Sequence, residues 1–134
     1  MSLFDSMSIA GTALSAQTTR INTIASNMAN ANSVSSTAED TFKARAPIFQ
    51  AVLEGESDQL GVRVTSIEEV GGEARQEFEP AHPLANEEGF IYKPDIDVTQ
   101  QMANMMSASR SFQSAIEVIN TSKQLALRTL TLGK

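Results

Sequence analysis

In the last third of the chain, one stripe of a continuous helix would carry Val98, Met102, Met105, Ser109, Phe112, Ile116, Ile119, Lys123, Ala126 and Leu130. The spacing alternates four and three without a slip, which is the heptad seam of a coiled coil rather than the broader face of an ordinary globular helix. At about 1.5 Å per residue such a helix is about 50 Å long, more than a domain of this size needs for its own core. A second ladder with the same alternation begins near the N-terminus: Leu3, Met7, Ala10, Leu14, Gln17, Ile21, Ile24 and Met28. Ser2 followed by Asp5 resembles a capping box and places the start of that helix at the very beginning of the sequence. Asn30, Asn32 and Ser33 offer competing side-chain hydrogen bonds, so the helix ends or loosens there.

Between the two ladders the pattern changes period. Residues 33–41 are rich in Ser, Thr and acidic side chains and read as a loop. Phe42, Ala44, Ala46 and Ile48 alternate like a strand over 41–53, with Pro47 confining it to an edge or a bulge. Residues 55–61 look like a turn, Val62 and Val64 alternate and lead to Ile67, and Gly71-Gly72 marks another turn. A short polar strand is expected at 75–79, and Phe90, Ile91 and Tyr92 form a further strand or extended contact after Pro80, Pro83 and Gly89. Asp97 and Gln100 make a second capping-box pattern that opens the C-terminal helix. The fold class is therefore mainly α with a small β region: long N- and C-terminal helices (1–32 and 97–134) paired as a coiled-coil-like hairpin, with a partly irregular β insert over 33–96.

Polar residues inside the seams, Gln17 in the first and Ser109 and Lys123 in the second, either specify register and partner or lie at solvated edges, where a lysine stem can snorkel. Beside the main stripe of the C-terminal helix stand Val118, Leu125 and Leu132, seven apart, and Leu127 lies on yet another side. A helix apolar nearly all round must be covered from several directions. One partner helix in the same chain covers one stripe, so the remainder implies assembly.

Composition narrows the function further. The 134 residues suit one domain; apolar residues make up 41%, aromatics 5%, Trp is absent and there are six Met, which favours aliphatic helix packing. A formal charge of −6 lacks the basic patch that phosphate neutralisation requires, which argues against nucleic acid and anionic membrane surfaces. Without Cys there is no disulfide and no thiolate metal site. No apolar run approaches the roughly 20 residues that span a bilayer, and the start lacks the pattern of a cleaved signal. The expectation is a protein that stays in the cytoplasm or leaves it by a route that reads an uncleaved N-terminus.

Catalytic chemistry finds little support. The one His, His82, sits between Ala81 and Pro83 with no Cys to form a nucleophilic pair, and a turn role suits it better than a general base. Glu68-Glu69 and Glu87-Glu88 are adjacent, so on a strand they would point to opposite faces and could not share a metal or a proton. Gly71-Gly72 lacks the strand, Gly-rich loop and helix context of a phosphate cradle. Met28, Met102, Met105 and Met106 fit pliable packing better than a soft-metal site. No catalytic residue, metal ligand, cofactor or small-molecule substrate is expected.

Three stretches resemble the flagellar axial protein family, the rod and hook proteins of the bacterial flagellum. Residues 24–33 (IASNMANANS) are similar to the Ser-Asn-x-Ala-Asn signature of the whole family. Asn86-Glu87-Glu88-Gly89-Phe90 after His82-Pro83, and 105–113 (MMSASRSFQ) with 117–121 (EVINT) and the ending 129–134 (TLTLGK), resemble the proximal-rod type in particular. Met28 stands where the family usually has Leu, and Phe112 where Tyr is common. The loops at 33–40 and 55–59 follow no family pattern.

The resemblance implies a non-enzymatic rod subunit, made in the cytoplasm and exported unfolded by the flagellar type III apparatus without cleavage. Such a subunit assembles helically through its terminal helices, in the rod that spans the periplasm, and transmits torque. Its partners would be other rod proteins, copies of itself, and the inner-membrane ring and export apparatus at the base. Candidate assembly residues are Leu14, Ile21, Ile24, Asn27, Met28, Asn30 and Asn32 on the first helix. On the second they are Met102, Met105, Phe112, Ile116, Ile119, Leu125, Leu127, Leu130 and Leu132. For the three Asn, capping within one chain is an equally good reading. The alternative from another class is a helical binding module, such as an export chaperone or adaptor, offering a groove to an amphipathic partner.

Overall fold

A computed structural model of the chain describes residues 3–54 and 59–132. Two long helices bracket four strands: α1 (Leu3–Asn30), β1 (Arg45–Glu54), β2 (Gln59–Glu69), β3 (Arg75–Phe78), β4 (Phe90–Lys93) and α2 (Val98–Leu132). Helix, β insert and helix occur in the expected order, and α2 starts where the Asp97 cap puts it. Asp97 Oδ1 accepts from the backbone N–H of Thr99 at 2.8 Å and of Gln100 at 3.2 Å, which satisfies two of the orphan donors of the first turn. The Ser2 cap lies outside the described residues.

The strands form two separate two-stranded sheets, β1 with β2 and β3 with β4. The first strand starts later than the alternation of Phe42 and Ala44 suggested, at Arg45, and Pro47 sits inside it. A two-stranded sheet has only edges, so a residue without an N–H is tolerated there. Of the turn expected over 55–61, residues 59–61 belong to β2, which begins at Gln59; residues 55–58 lie outside the described ones. The polar strand is found at β3, antiparallel to β4 with Arg75 opposite Lys93 and Phe78 opposite Phe90.

The chain divides into two compact units. The first comprises 1–21, 47–66 and 106–134, the second 22–46 and 67–105. In each, a part of α1 shares the unit with a part of α2: its start with the last three quarters of α2, its end with the first turns. Each unit thus holds a stretch of both helices.

The first unit has a core of small side chains: Ala10 and Ala16 on α1, Ala108, Ala115 and Ser122 on α2, all buried. Small residues let two helix backbones approach closely. Strand β2 is tied to α1 by Thr12, whose Oγ1 accepts from the Val62 N–H at 3.1 Å and donates to the Ile9 carbonyl at 2.8 Å. An edge-strand amide thus finds its partner on a helix side chain.

In the second unit Ala31, Ala44 and Ile96 form a buried cluster, with Phe42 and Val98 packed against it. Ile91 and Pro94 are also fully buried. The Phe78 and Phe90 rings meet edge to face at 5.2 Å. Lys93 bridges Glu77 and Glu79, and its hydrogen bond to Glu77 holds the ammonium above its ordinary pKa. The segment before β4 is a turn built on Asn86, whose Oδ1 accepts from the N–H of Glu88 and of Phe90, with Gly89 in the left-handed region at φ +84°. His82 has the expected turn role: its Nδ1 accepts from the Leu84 N–H at 3.1 Å.

Candidate assembly interface

The side chains of α2 sort into a row that the chain covers itself and rows that it leaves open. Ala108, Ala115 and Ser122 are buried at a spacing of seven, and Val98, Gln101, Met105, Phe112, Ile119 and Ala126 are half-buried. Together they read 98, 101, 105, 108, 112, 115, 119, 122, 126, an unbroken alternation of three and four. Half of the expected stripe is therefore in place, namely Val98, Met105, Phe112, Ile119 and Ala126. The other half is displaced by one residue. The chain covers Gln101, Ala108, Ala115 and Ser122, while Met102, Ile116, Lys123 and Leu130 are exposed and Ser109 is half-buried.

This displacement has a packing cause. Choosing the larger apolar residue selects Met102, Ile116 and Leu130, but a close helix pair takes the small Ala108, Ala115 and Ser122, and near the start of the row it takes Gln101, whose side chain meets Asn27. The large residues are then left on the outer side. Ile116 is 38% exposed and Leu130 71%, and Val118, Leu125 and Leu127 are exposed as well. Burying a large aliphatic side chain is worth about 1.5–3 kcal/mol, so these rows carry a substantial drive towards a partner. The side chain of Leu132 lies outside the described residues.

On α1, Ile24 is buried and Leu14, Ile21 and Met28 are half-buried. Thr23, Asn27 and Ala31 are buried beside them. Gln17, the polar step in this ladder, is half-buried, and its Oε1 is buried without a hydrogen-bond partner among the described residues.

The three signature asparagines have three different situations. Asn27 is 2% exposed and holds the backbone of Arg45 at the start of β1, with its Nδ2 also 3.4 Å from Gln101 Oε1 on α2. Asn30 closes the helix: its Nδ2 donates to the Ser26 carbonyl, and its own carbonyl accepts from the N–H and the hydroxyl of Ser33. Asn32 is exposed. The roles of Thr12 and Asn27 as grips on strand backbone were not visible in the sequence, because their partners lie 50 and 18 residues away. For Asn27 the signal was its place on the buried side of the ladder, next to Ile24.

Among the described residues no group of three or more His, Asp or Glu could hold a metal ion, and no helix is long and apolar enough to cross a membrane. What the arrangement can do is present apolar rows of one helix to another protein.

Comparison with known proteins points the same way. The family described as "Flagella basal body rod protein" matches residues 7–35, within α1 and the turn after it. That described as "Flagellar basal body rod FlgEFG protein C-terminal" matches residues 87–132, from the Asn86 turn to the end of α2. The flagellar basal-body rod protein FlgC of Yersinia enterocolitica is 46% identical over 134 residues, covering the whole of both chains. The protein of the same name from Salmonella typhimurium is 42% identical over the same full length. That of Aquifex aeolicus is 33% identical over 136 residues, covering all of this chain and 99% of the relative.

Proposed function

The chain belongs to the FlgC family of flagellar basal-body rod proteins, and on that premise we propose that it builds the proximal part of the rod by stacking helically through its terminal helices. It is a structural subunit of the basal body, assembling with other basal-body components, and not an enzyme. The finer reading rests on one observation: the large apolar residues of α2 lie outside the row that the chain's own hairpin covers.

In this reading Met102, Ile116, Leu125, Leu127 and Leu130 face neighbouring subunits, as Leu132 would by its spacing. The half-buried Leu14, Ile21, Met28, Met105, Phe112 and Ile119, with buried Ile24, stiffen the hairpin that presents them. Asn27 and Asn30 set the geometry of the hairpin and the insert, and exposed Asn32 contacts a neighbour. A heterologous contact of this kind does not close on itself and generates a helix of subunits. Torque then passes through interdigitated side chains and needs no reactive group. Export by the flagellar type III apparatus without cleavage, and a position across the periplasm beside the inner-membrane ring, are parts of the same proposal. Full-length identity to rod proteins supports it over a chaperone or adaptor.

Hydrogen exchange tests this reading. In the dilute isolated protein, amides of residues 123–130, past the last buried position at Ser122, should exchange quickly, and in purified basal bodies they should be strongly protected. Equal protection in the two states would contradict it.

A further inference from the structure

The terminal-helix reading leaves two features unused: the charge of the insert and the position of Lys123. Residues 33–97 carry fourteen acidic side chains against five basic ones, whereas 98–134 carry Arg110, Lys123, Arg128 and Lys134 against the single acid Glu117. Opposite charge is thus segregated between the insert and the C-terminal helix.

The insert also has a recess for a partner. In the second unit a groove of about 460 Å³ includes Phe42, Ala44, Val70 and the Tyr92 ring in a lining that is otherwise of small, polar and charged residues. Val70 is 43% exposed, an apolar side chain left open in a recess. Four charged residues also line the groove. Lys43 is paired with Glu69 and Asp95 with Arg75, but Glu39 and Glu73 have no ion pair among the described residues. The groove therefore combines apolar side chains with two carboxylates that have no ion pair among the described residues.

Helix α2 carries the complementary pattern. Lys123, Leu127 and Leu130 are spaced i, i+4 and i+7, so they share one face. Lys123, Leu127 and Leu130 are all exposed in the single chain. Two leucines with a lysine one turn before them complement apolar side chains set beside two carboxylates that have no ion pair among the described residues.

We propose that the groove of the second unit receives the Lys123–Leu127–Leu130 stripe of α2 from a second copy of this chain. The leucines supply affinity by burial, while Lys123 sets register and excludes wrong pairings, since complementary charge contributes more to specificity than to raw affinity. Lys123 then becomes the residue that tells one outer row of α2 from the others. The contact is heterologous, joining different surfaces of the two copies, and rests on the rod reading above.

Because the chain has no cysteine, cross-linking between copies tests this directly. A strain lacking the native gene expresses two variants together, Val70→Cys and Leu130→Cys, so that any disulfide between these positions joins two copies. Basal bodies are purified and mildly oxidised. A second pair, Gln76→Cys with Leu127→Cys, serves where a Val70 variant misfolds. The expected result is a disulfide-linked dimer that is lost when the leucine-side copy also carries Lys123→Glu. It returns when the groove-side copy carries Glu73→Lys. Basal bodies that contain both variants in motile cells but give no dimer with either pair, or a dimer indifferent to the charge exchange, overturn the inference and leave the rod reading standing. Absence of the cysteine-free parent chain from basal bodies overturns both.

Discussion

The side-chain amide of Asn27 closes on both backbone groups of Arg45: Oδ1 accepts from the Arg45 N–H at 2.9 Å, and Nδ2 donates to the Arg45 carbonyl at 2.8 Å. This is the pairing that a neighbouring strand would make, supplied by one helical side chain. It fixes where β1 begins relative to the end of α1. Asn27→Ala removes both partners at a buried position, and unsatisfied buried backbone groups cost about 1–3 kcal/mol each. Arg45 itself is exposed, so water replaces part of the lost pairing and urea unfolding should show a loss at the lower end, about 2–3 kcal/mol. Asn27→Asp keeps the acceptor but sets a carboxylate against the Arg45 carbonyl, so it should not rescue the loss.

Ala108 has no exposed surface and belongs to the small-residue row of α2. Ala108→Leu should therefore destabilise the isolated protein by about 1–3 kcal/mol through overpacking, despite its higher hydrophobicity. Met102→Leu, on the exposed row, should change stability by less than about 0.5 kcal/mol. Thermal or urea unfolding of the two variants side by side checks the register of the seam. A well-tolerated Ala108→Leu would return the seam to the row of Met102 and Ile116.

A Cβ on Gly89 would lie 2.9 Å from Phe78 Cε2 and 3.1 Å from Pro80 Cβ, on a backbone at φ +84°. The left-handed conformation alone costs a residue with Cβ about 1–2 kcal/mol, and the Phe78 ring must also shift out of its edge-to-face contact with Phe90. Gly89→Ala should lower stability by about 2–3 kcal/mol, measured by unfolding. Its near-UV circular dichroism should change at the same time, since the ring pair moves.

How far the sequence reveals this structure depends on the range of each interaction. The helices were legible because a heptad repeat persists over many turns, and the Asp97 cap because its partners are two and three residues away. The short strand at 75–78 was legible from its bounding glycines and prolines. The covered row of α2 was only half legible. Hydrophobicity ranks Met102 and Ile116 above Gln101 and Ala115, whereas burial within a close helix pair depends on size and on how much apolar surface is kept for neighbours. The grips of Asn27 and Thr12 on strand backbone could not be read, because nothing local marks which amide a buried side chain will meet. Among the candidate interface residues the sequence placed the apolar rows but did not separate those covered by the chain from those it leaves open.

Ile116 provides the most direct test of the claim that the outer rows of α2 are covered by other subunits. At 38% exposure, Ile116→Asp should leave the isolated protein folded, with a helix signal close to that of the parent chain and a modestly lower melting temperature. In the assembled rod the same carboxylate would be buried without a partner, at a cost of several kcal/mol. The decisive measurement is the content of basal bodies purified from a strain whose only copy carries Ile116→Asp. The account predicts a folded protein that is missing from the rod and cells that do not swim. A normal amount of the variant in complete rods, with normal motility, would contradict it.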